Sequence, residues 1–311
     1  MAAPDSSAGA PAGANALPVS PTAPTVVHRL NSLAPYLLLV PAIVFLIIFI
    51  AWPMVDALLL SVRTPEGEWT TRYLQRMVND VNFTDALRNT LLLLIMVIPL
   101  QFVLAVVMAL LIQARLKGTG LLLYVWTIPL AVSDLAAGLV WLSIFSDRGY
   151  LNSFLQNLGL IHTPIAFLSY ENPVSMFACV VIAELWRATA IVMVIVVAGL
   201  QLIPPDYGEA AEVFGATPWQ RLRHVTLPML RPSIQVGLIL RTILAFQVFA
   251  IVLALAGTRM PVLASEAYSW YYDNRNPNVA AAYALLILVF SLVTTGFYLR
   301  TLRTRDEELG Q

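Results

Sequence analysis

Lysine occurs once in this chain, at Lys117, and cysteine once, at Cys179. Lys117 sits in Leu116-Lys117-Gly118. It lacks the flanking residues of a phosphate-cradling G-x-x-x-x-G-K-[S/T] loop, so the chain cannot bind ATP by a P-loop. One cysteine forms neither an internal disulfide nor a multi-cysteine metal site, and inside an apolar run Cys179 reads as a small buried hydrophobe. The three histidines (His28, His162, His224) are scattered and suggest no metal cluster. No H-E-x-x-H and no G-x-S-x-G is present, which argues against an intramembrane enzyme. Charge is scarce too: 12% of residues are charged and 59% hydrophobic, with mean hydropathy +0.77. Soluble domains carry roughly 25% charged and 45–50% apolar residues, so the natural solvent of most of this chain is lipid. A formal net charge of zero excludes a typical nucleic-acid binder.

What is present is long apolar runs. Six are counted, at about 34–62, 87–112, 120–145, 173–200, 234–256 and 279–299. Each exceeds the roughly 20 residues that cross a bilayer as helix. Period-2 alternation is absent, which disfavours a β-barrel. An even number of spans puts both termini on one side. The ends and the 113–119 and 201–233 loops carry nine Lys/Arg (Arg29, Arg115, Lys117, Arg221, Arg223, Arg231, Arg300, Arg303, Arg305) against seven on the other side. That bias favours cytoplasmic termini. Residues 1–27, rich in Ala, Pro and Ser, are expected to be disordered and lack the apolar stretch of a signal peptide. The expected organisation is a tail (1–33), a membrane domain (34–305) and a second tail (306–311).

The polar stretch 203–232 does not suit a simple bundle. Pro205 fits a first helical position and Asp206 the positive helix end. Gly215 fits the left-handed residue that closes this helix. Thr217, with Gln220 three residues on, matches a capping box for a second helix, and Pro228 is expected to stop it. On these residues alone, the pair either rests on lipid headgroups or docks a partner, with Ala210 and Ala211 permitting close approach.

Glu209-Ala210-Ala211, then Gly215, Val225 and Leu227-Pro228, resembles in residues and spacing the EAA signature of permease subunits of binding-protein-dependent ABC importers. Asn89-Thr90, Gly149-Tyr150-Leu151-Asn152 with Leu158-Gly159-Leu160, and Ala198-Gly199-Leu200-Gln201-Leu202-Ile203-Pro204 resemble segments of the carbohydrate-uptake branch. The resemblance covers most of 34–305. It departs at Phe214, where relatives often have Asp, and at Gly208, where a bulky residue is frequent. It implies an all-α integral membrane protein with six transmembrane helices of the type I ABC importer permease fold and a cytoplasmic coupling loop. It also implies that the loop docks on a separate ATPase through Glu209, Ala210, Ala211, Gly215, Leu227 and Pro228. The implied partners are a dimer of P-loop ATP-binding subunits, which would hold ATP and Mg, a second EAA-type permease, and an external substrate-binding protein. The setting is the bacterial cytoplasmic membrane. No cofactor or metal is expected in this chain, which would be a non-catalytic transport subunit.

Charges inside spans are costly and default to functional candidates. The four informative ones are Asp134, Glu184, Arg187 and Arg241, while Asp56 lies near the outer end of the first span. Glu184, Arg187, Ala188 and Ile191 share one helical face. Counting 1.5 Å per residue, Arg187 and Asp134 lie about 21 and 22 Å from the inner helix ends, with Arg241 nearer the inside. Two readings follow. A Glu184–Arg187 or Asp134–Arg187 ion pair merely neutralises charge, or these groups bind sugar hydroxyls beside the stacking faces of Trp141 and Trp186. The aromatic stretch 268–274 reads as an interfacial belt or as a contact for the external binding protein. The leading function is ATP-driven import of a sugar or sugar derivative. The alternatives are import of a polyamine, phosphate or other non-sugar solute, and a stand-alone secondary transporter, for which no convincing internal repeat is seen.

Overall fold

The computed structural model describes residues 37–114 and 117–301. The two expected tails (1–33 and 306–311), together with Arg115, Arg303 and Arg305, lie outside the described residues. The described chain is helical, with one isolated bridge between Arg63 and Trp69. In chain order the helices are α1 (Leu37–Leu59), α2 (Arg72–Val78), α3 (Phe83–Gln113), α4 (Thr119–Thr127), α5 (Asp134–Phe145), α6 (Tyr150–Asn157), α7 (Pro173–Gln201), α8 (Pro205–Val213), α9 (Pro218–Met229), α10 (Arg231–Phe246), α11 (Ala250–Ala256), α12 (Leu263–Tyr272) and α13 (Pro277–Thr301). Two compact units divide at Val55/Asp56. The first is α1 as far as Val55, with a π-turn at Ile47–Ala51 and Phe45 against Phe49. The second holds everything else.

In the second unit, α3 and α7 form the central pair. The buried positions of α3 include Ala86, Thr90, Leu93, Val97, Gln101, Ala105 and Ala109. They recur every three or four residues, so one stripe faces the core and the other side faces outward. Small residues let the helices approach closely where no hydrophobic force drives them together. A Cβ on Gly199 of α7 would lie 2.3 Å from Ser233 Oγ on α10, and one on Gly237 would lie 3.2 Å from Phe102.

Two expected spans are broken, and each break has a local cause. The run at 120–145 was expected to be one helix. Instead α4 passes into a 3-10 turn at Ile128–Ala131 containing Pro129, which has no N–H to give. Val132 is extended, and Ser133 restarts the helix by accepting from Ala136 N–H at 3.2 Å. The two halves are bent by 106°. The run at 234–256 likewise divides between α10 and α11, where Phe249 takes φ −140°, ψ −60°. By length and composition four helices (α1, α3, α7 and α13) suffice to cross a membrane, and up to seven candidates result if each bent pair is one span. The expected count of six lies between these bounds.

The two broken spans meet. A Cβ on Gly138 of α5 would lie 2.6 Å from Ala254 Cβ and 3.2 Å from Ile251 Cα of α11. Only glycine permits this contact. Gly138→Val is therefore expected to lower the apparent Tm of the detergent-solubilised protein by several degrees, because overpacking costs about 1–3 kcal/mol. An unchanged melt would show that the contact is dispensable.

Candidate functional site

The polar loop folds as its sequence suggests up to Pro228. Pro205 opens α8 and Asp206 lies in its first turn. Gly215 adopts φ +80°. Around it, Gly215 N–H donates to Glu212 O at 2.9 Å and Ala216 N–H to Ala211 O at 2.9 Å, the two bonds of a Schellman cap. Thr217 and Gln220 form the capping box, with Gln220 N–H donating to Thr217 Oγ1 (3.3 Å) and Thr217 N–H to Gln220 Oε1 (2.8 Å). Arg221 pairs with Glu212, clamping α9 to α8. Pro228 does not stop the helix. A π-turn at Leu222–Thr226, in which Leu227 N–H donates to Leu222 O, precedes it, and α9 runs on to Met229. The wider turn accommodates the missing proline N–H, and the 66° bend comes at Leu230 instead.

Of the expected coupling residues, Glu209, Ala210 and Gly215 are exposed and Ala211 is half-buried. Val213 and Phe214 stand beside them, 84% and 90% exposed. Small residues bordered by exposed large apolar ones mark an interaction surface. Leu227 and Pro228 are half-buried on α9, away from the α8 cap, where Leu227 lines an apolar groove with Trp219 and Leu222. Beneath the loop lies a cavity of about 540 Å³, bounded by Leu110 and Gln113 of α3 and by Pro205, Trp219 and Leu222.

The intramembrane charges resolve into two pairs. Arg241 Nη2 meets Glu184 Oε2 at 2.7 Å, with both side chains at most 2% exposed. Arg241 Nε donates to Gln101 Oε1 at 2.6 Å, and Gln101 Nε2 donates to the Glu184 carbonyl at 3.1 Å. This network joins α3, α7 and α10. Gln101 escaped the sequence reading, although it is the one amide in a wholly apolar stretch of α3. Depth counting placed Arg241 nearer the inside, but the long arginine side chain reaches Glu184. The second pair is Arg187 Nη1–Asp134 Oδ1 at 2.7 Å, with side chains 20% and 47% exposed. Of the two ion pairs weighed from the sequence, Asp134–Arg187 therefore forms and Glu184–Arg187 does not.

The same two helices, α5 and α7, also pair aromatic side chains. Trp141 and Trp186 meet edge to face at 6.1 Å, and Trp141 stacks on Phe145 at 5.2 Å. Trp186 is 38% exposed. Trp141 Nε1 and Arg187 Nε are buried donors without a partner among the described residues. The helical face expected to line a path divides: Glu184 and Ala188 are buried between helices, and Ile191 packs beside Ala105 and Val192. Across α5 and α7, Asp134 meets Arg187 and Trp141 meets Trp186. Among the described residues no group of three or more His, Cys, Asp or Glu is placed to hold a metal.

Other motif residues act as pins. Asn89 Nδ2 donates to Pro261 O (2.9 Å), and Thr90 Oγ1 accepts from Leu263 N–H (3.0 Å). Asn152, 1% exposed, exchanges two 2.9 Å bonds with the Ile165 backbone. Asp80 accepts from Trp270 Nε1 (2.6 Å) and Tyr283 Oη (2.9 Å), anchoring one face of α12.

Residues 83–303, which hold both the loop and the charge pairs, match the family described as binding-protein-dependent transport system inner membrane component. The chain belongs to this family. It is a multi-pass protein of the inner membrane and a transport permease. A trehalose/maltose transport system permease protein of Thermococcus litoralis is 31% identical over 88% of this chain and 94% of its own length. A lactose transport system permease protein of Rhizobium radiobacter is 30% identical over 85% and 92%. A chain from the crystal structure of a bacterial ABC transporter involved in the import of the acidic polysaccharide alginate superposes with TM-score 0.74 at 22% identity, covering 89% of this chain and 97% of that one. This permease thus has the all-helical type I importer fold that the sequence resemblance implied.

Proposed function

We propose that this permease moves a sugar or sugar derivative through the membrane as one of two permease subunits of an ATP-driven importer. The observation that carries the reading is the partly exposed Asp134–Arg187 pair, on the same two helices that pair Trp141 with Trp186, at the joint of two broken spans. Exposed charge is disfavoured against lipid, and broken backbone at membrane depth belongs beside an aqueous or protein-lined space. A sugar fits the groups available. Asp134, 47% exposed, accepts from hydroxyls, and the open side of Trp186 packs on a pyranose ring. The names of the trehalose/maltose and lactose relatives support the same cargo class.

The division of labour follows from the loop. With no P-loop in the sequence, ATP and Mg belong to a partner ATPase, which would grip the Glu209–Ala211 surface on the cytoplasmic side. Both termini lie on that side. A second permease closes the path, and an external binding protein delivers the cargo. The chain itself performs no catalysis.

The assembly co-purified through a C-terminal tag is expected to contain a second EAA-bearing permease and a P-loop ATPase. In proteoliposomes with its binding protein it should take up at least one of trehalose, maltose and lactose only when ATP is supplied. Asp134→Leu should then lower uptake at least tenfold, the loss expected for an interaction worth about 1.4 kcal/mol, without lowering the amount of folded complex. Uptake by the chain alone without ATP would refute the reading.

A further inference from the structure

Three aromatic rings form a continuous ladder that the pairs above do not use. Phe249 lies in the break between α10 and α11, and its ring meets Tyr268 of α12 at 5.0 Å. Tyr268 in turn stacks on Tyr272, one helical turn on, at 5.4 Å with planes 5° apart. Tyr268 is 43% exposed and Tyr272 66%. Neither hydroxyl has a hydrogen-bond partner among the described residues. The ladder is held rigidly from behind. On the opposite face of α12, Trp270 donates to Asp80, Asn82 donates to Glu266 at 3.5 Å, and Leu263 is fully buried.

The lower end of the ladder opens on a polar place. Gln247, exposed in the same break, has a side-chain amide with no partner among the described residues. Within an apolar span, a free amide and interrupted backbone belong beside an aqueous or protein-lined space. The break also abuts α5: a Cβ on Gly138 would lie 3.5 Å from Ala250 O, and Gly138 is one turn from Asp134. The ladder therefore leads from the α12 end of the molecule toward the Asp134–Arg187 pair.

We propose that Phe249, Tyr268 and Tyr272, with Gln247, form a second carbohydrate subsite, an aromatic track that passes a neutral glycan of at least two pyranose rings to the break in α10–α11. The deduction rests on the sugar-import reading and deepens it. Centroid steps of 5.0 and 5.4 Å, close to the length of one pyranose unit, give successive sugar rings a run of exposed aromatic contact. The Tyr268 and Tyr272 hydroxyls and the Gln247 amide supply donors and acceptors for the sugar hydroxyls. None of the four side chains carries charge, so the matching ligand is neutral.

The test uses the complete importer in proteoliposomes with loaded binding protein, probed with radiolabelled trehalose, maltose and lactose. The readout is sugar moved per ATP hydrolysed. Tyr268→Ala and Tyr272→Ala are expected to lower this ratio about tenfold, equivalent to about 1.4 kcal/mol, while ATP hydrolysis continues through the intact coupling loop. Tyr268→Phe, which keeps the ring and loses one hydroxyl, should fall between Tyr268→Ala and the wild type, and Tyr271→Ala, as exposed as Tyr272 but outside the ladder, should keep the wild-type ratio. A membrane-belt role would reduce the quantity of inserted complex and leave the ratio unchanged in every variant, which overturns the track. If the wild type moves one of the sugars and the Tyr268 and Tyr272 variants keep its ratio, the track is wrong and the sugar reading stands. If the wild type moves none of the three sugars, both fall together.

Discussion

Arg241→Ala is expected to be the most damaging single substitution to stability, costing about 3–5 kcal/mol because it leaves Glu184 charged, buried and unpaired. The detergent-solubilised protein should lose its monodisperse peak or melt far earlier than the wild type. The pair lies among three helices, with Gln101 satisfying part of the guanidinium, so the loss loosens α3, α7 and α10 together. Replacing both charges, as in Glu184→Leu with Arg241→Met, should recover most of the stability, since well-packed apolar groups often match a buried ion pair. Gln101 would still donate to the Glu184 backbone carbonyl. The contrast with Asp134–Arg187 makes the test sharp. That pair has the same 2.7 Å separation, but its side chains are 20% and 47% exposed. Breaking it should cost no more than about 1 kcal/mol, as for solvated pairs, while transport suffers. Equal stability losses at the two pairs would show that burial does not distinguish their roles.

The second large effect is expected at Gly215→Pro and Glu209→Ala. Gly215 holds φ +80°, whereas proline is confined near −65° and has no N–H to give to Glu212 O. The Schellman cap is therefore lost and α8 is re-aimed relative to α9. Glu209 is exposed, and its truncation should change stability by no more than about 0.5 kcal/mol. Both variants are expected to insert in normal amounts, to lose co-purification with the ATPase, and to show only background ATP-dependent uptake. Uptake at the wild-type rate in either would remove the coupling assignment. Gly215→Ala is the milder companion. A Cβ there meets nothing within 4 Å, so the cost is that of the positive φ alone.

The loop was legible because its signals are local. Thr217 with Gln220, Gly215 and Pro205 each act through bonds within a few residues, and all behave as read. Pro228 failed as a stop because the π-turn upstream is a cooperative adjustment of the whole helix, invisible at the proline itself. The motif residues Asn89, Thr90 and Asn152 were legible as a pattern, but not as pins, since their partners Pro261, Leu263 and Ile165 lie far along the chain.

From its sequence alone this protein was bound to live in lipid, to form long apolar helices, and to lack an ATP-binding P-loop: composition and motif content decide these points without any partner contact. The tertiary structure decided which charge meets which. Glu184 and Arg187 sit one turn apart on α7, yet they face different neighbours. Gln101 and Arg241 capture the first, and Asp134 the second. Helical periodicity states which residues share a face. It does not state which foreign helix that face will meet, or where the neighbour breaks. Close contacts at Gly138, Gly199 and Gly237 and the interruptions at Ser133 and Phe249 fixed those relations. With them they fixed the division between a buried pair that joins three helices and a second, more open pair.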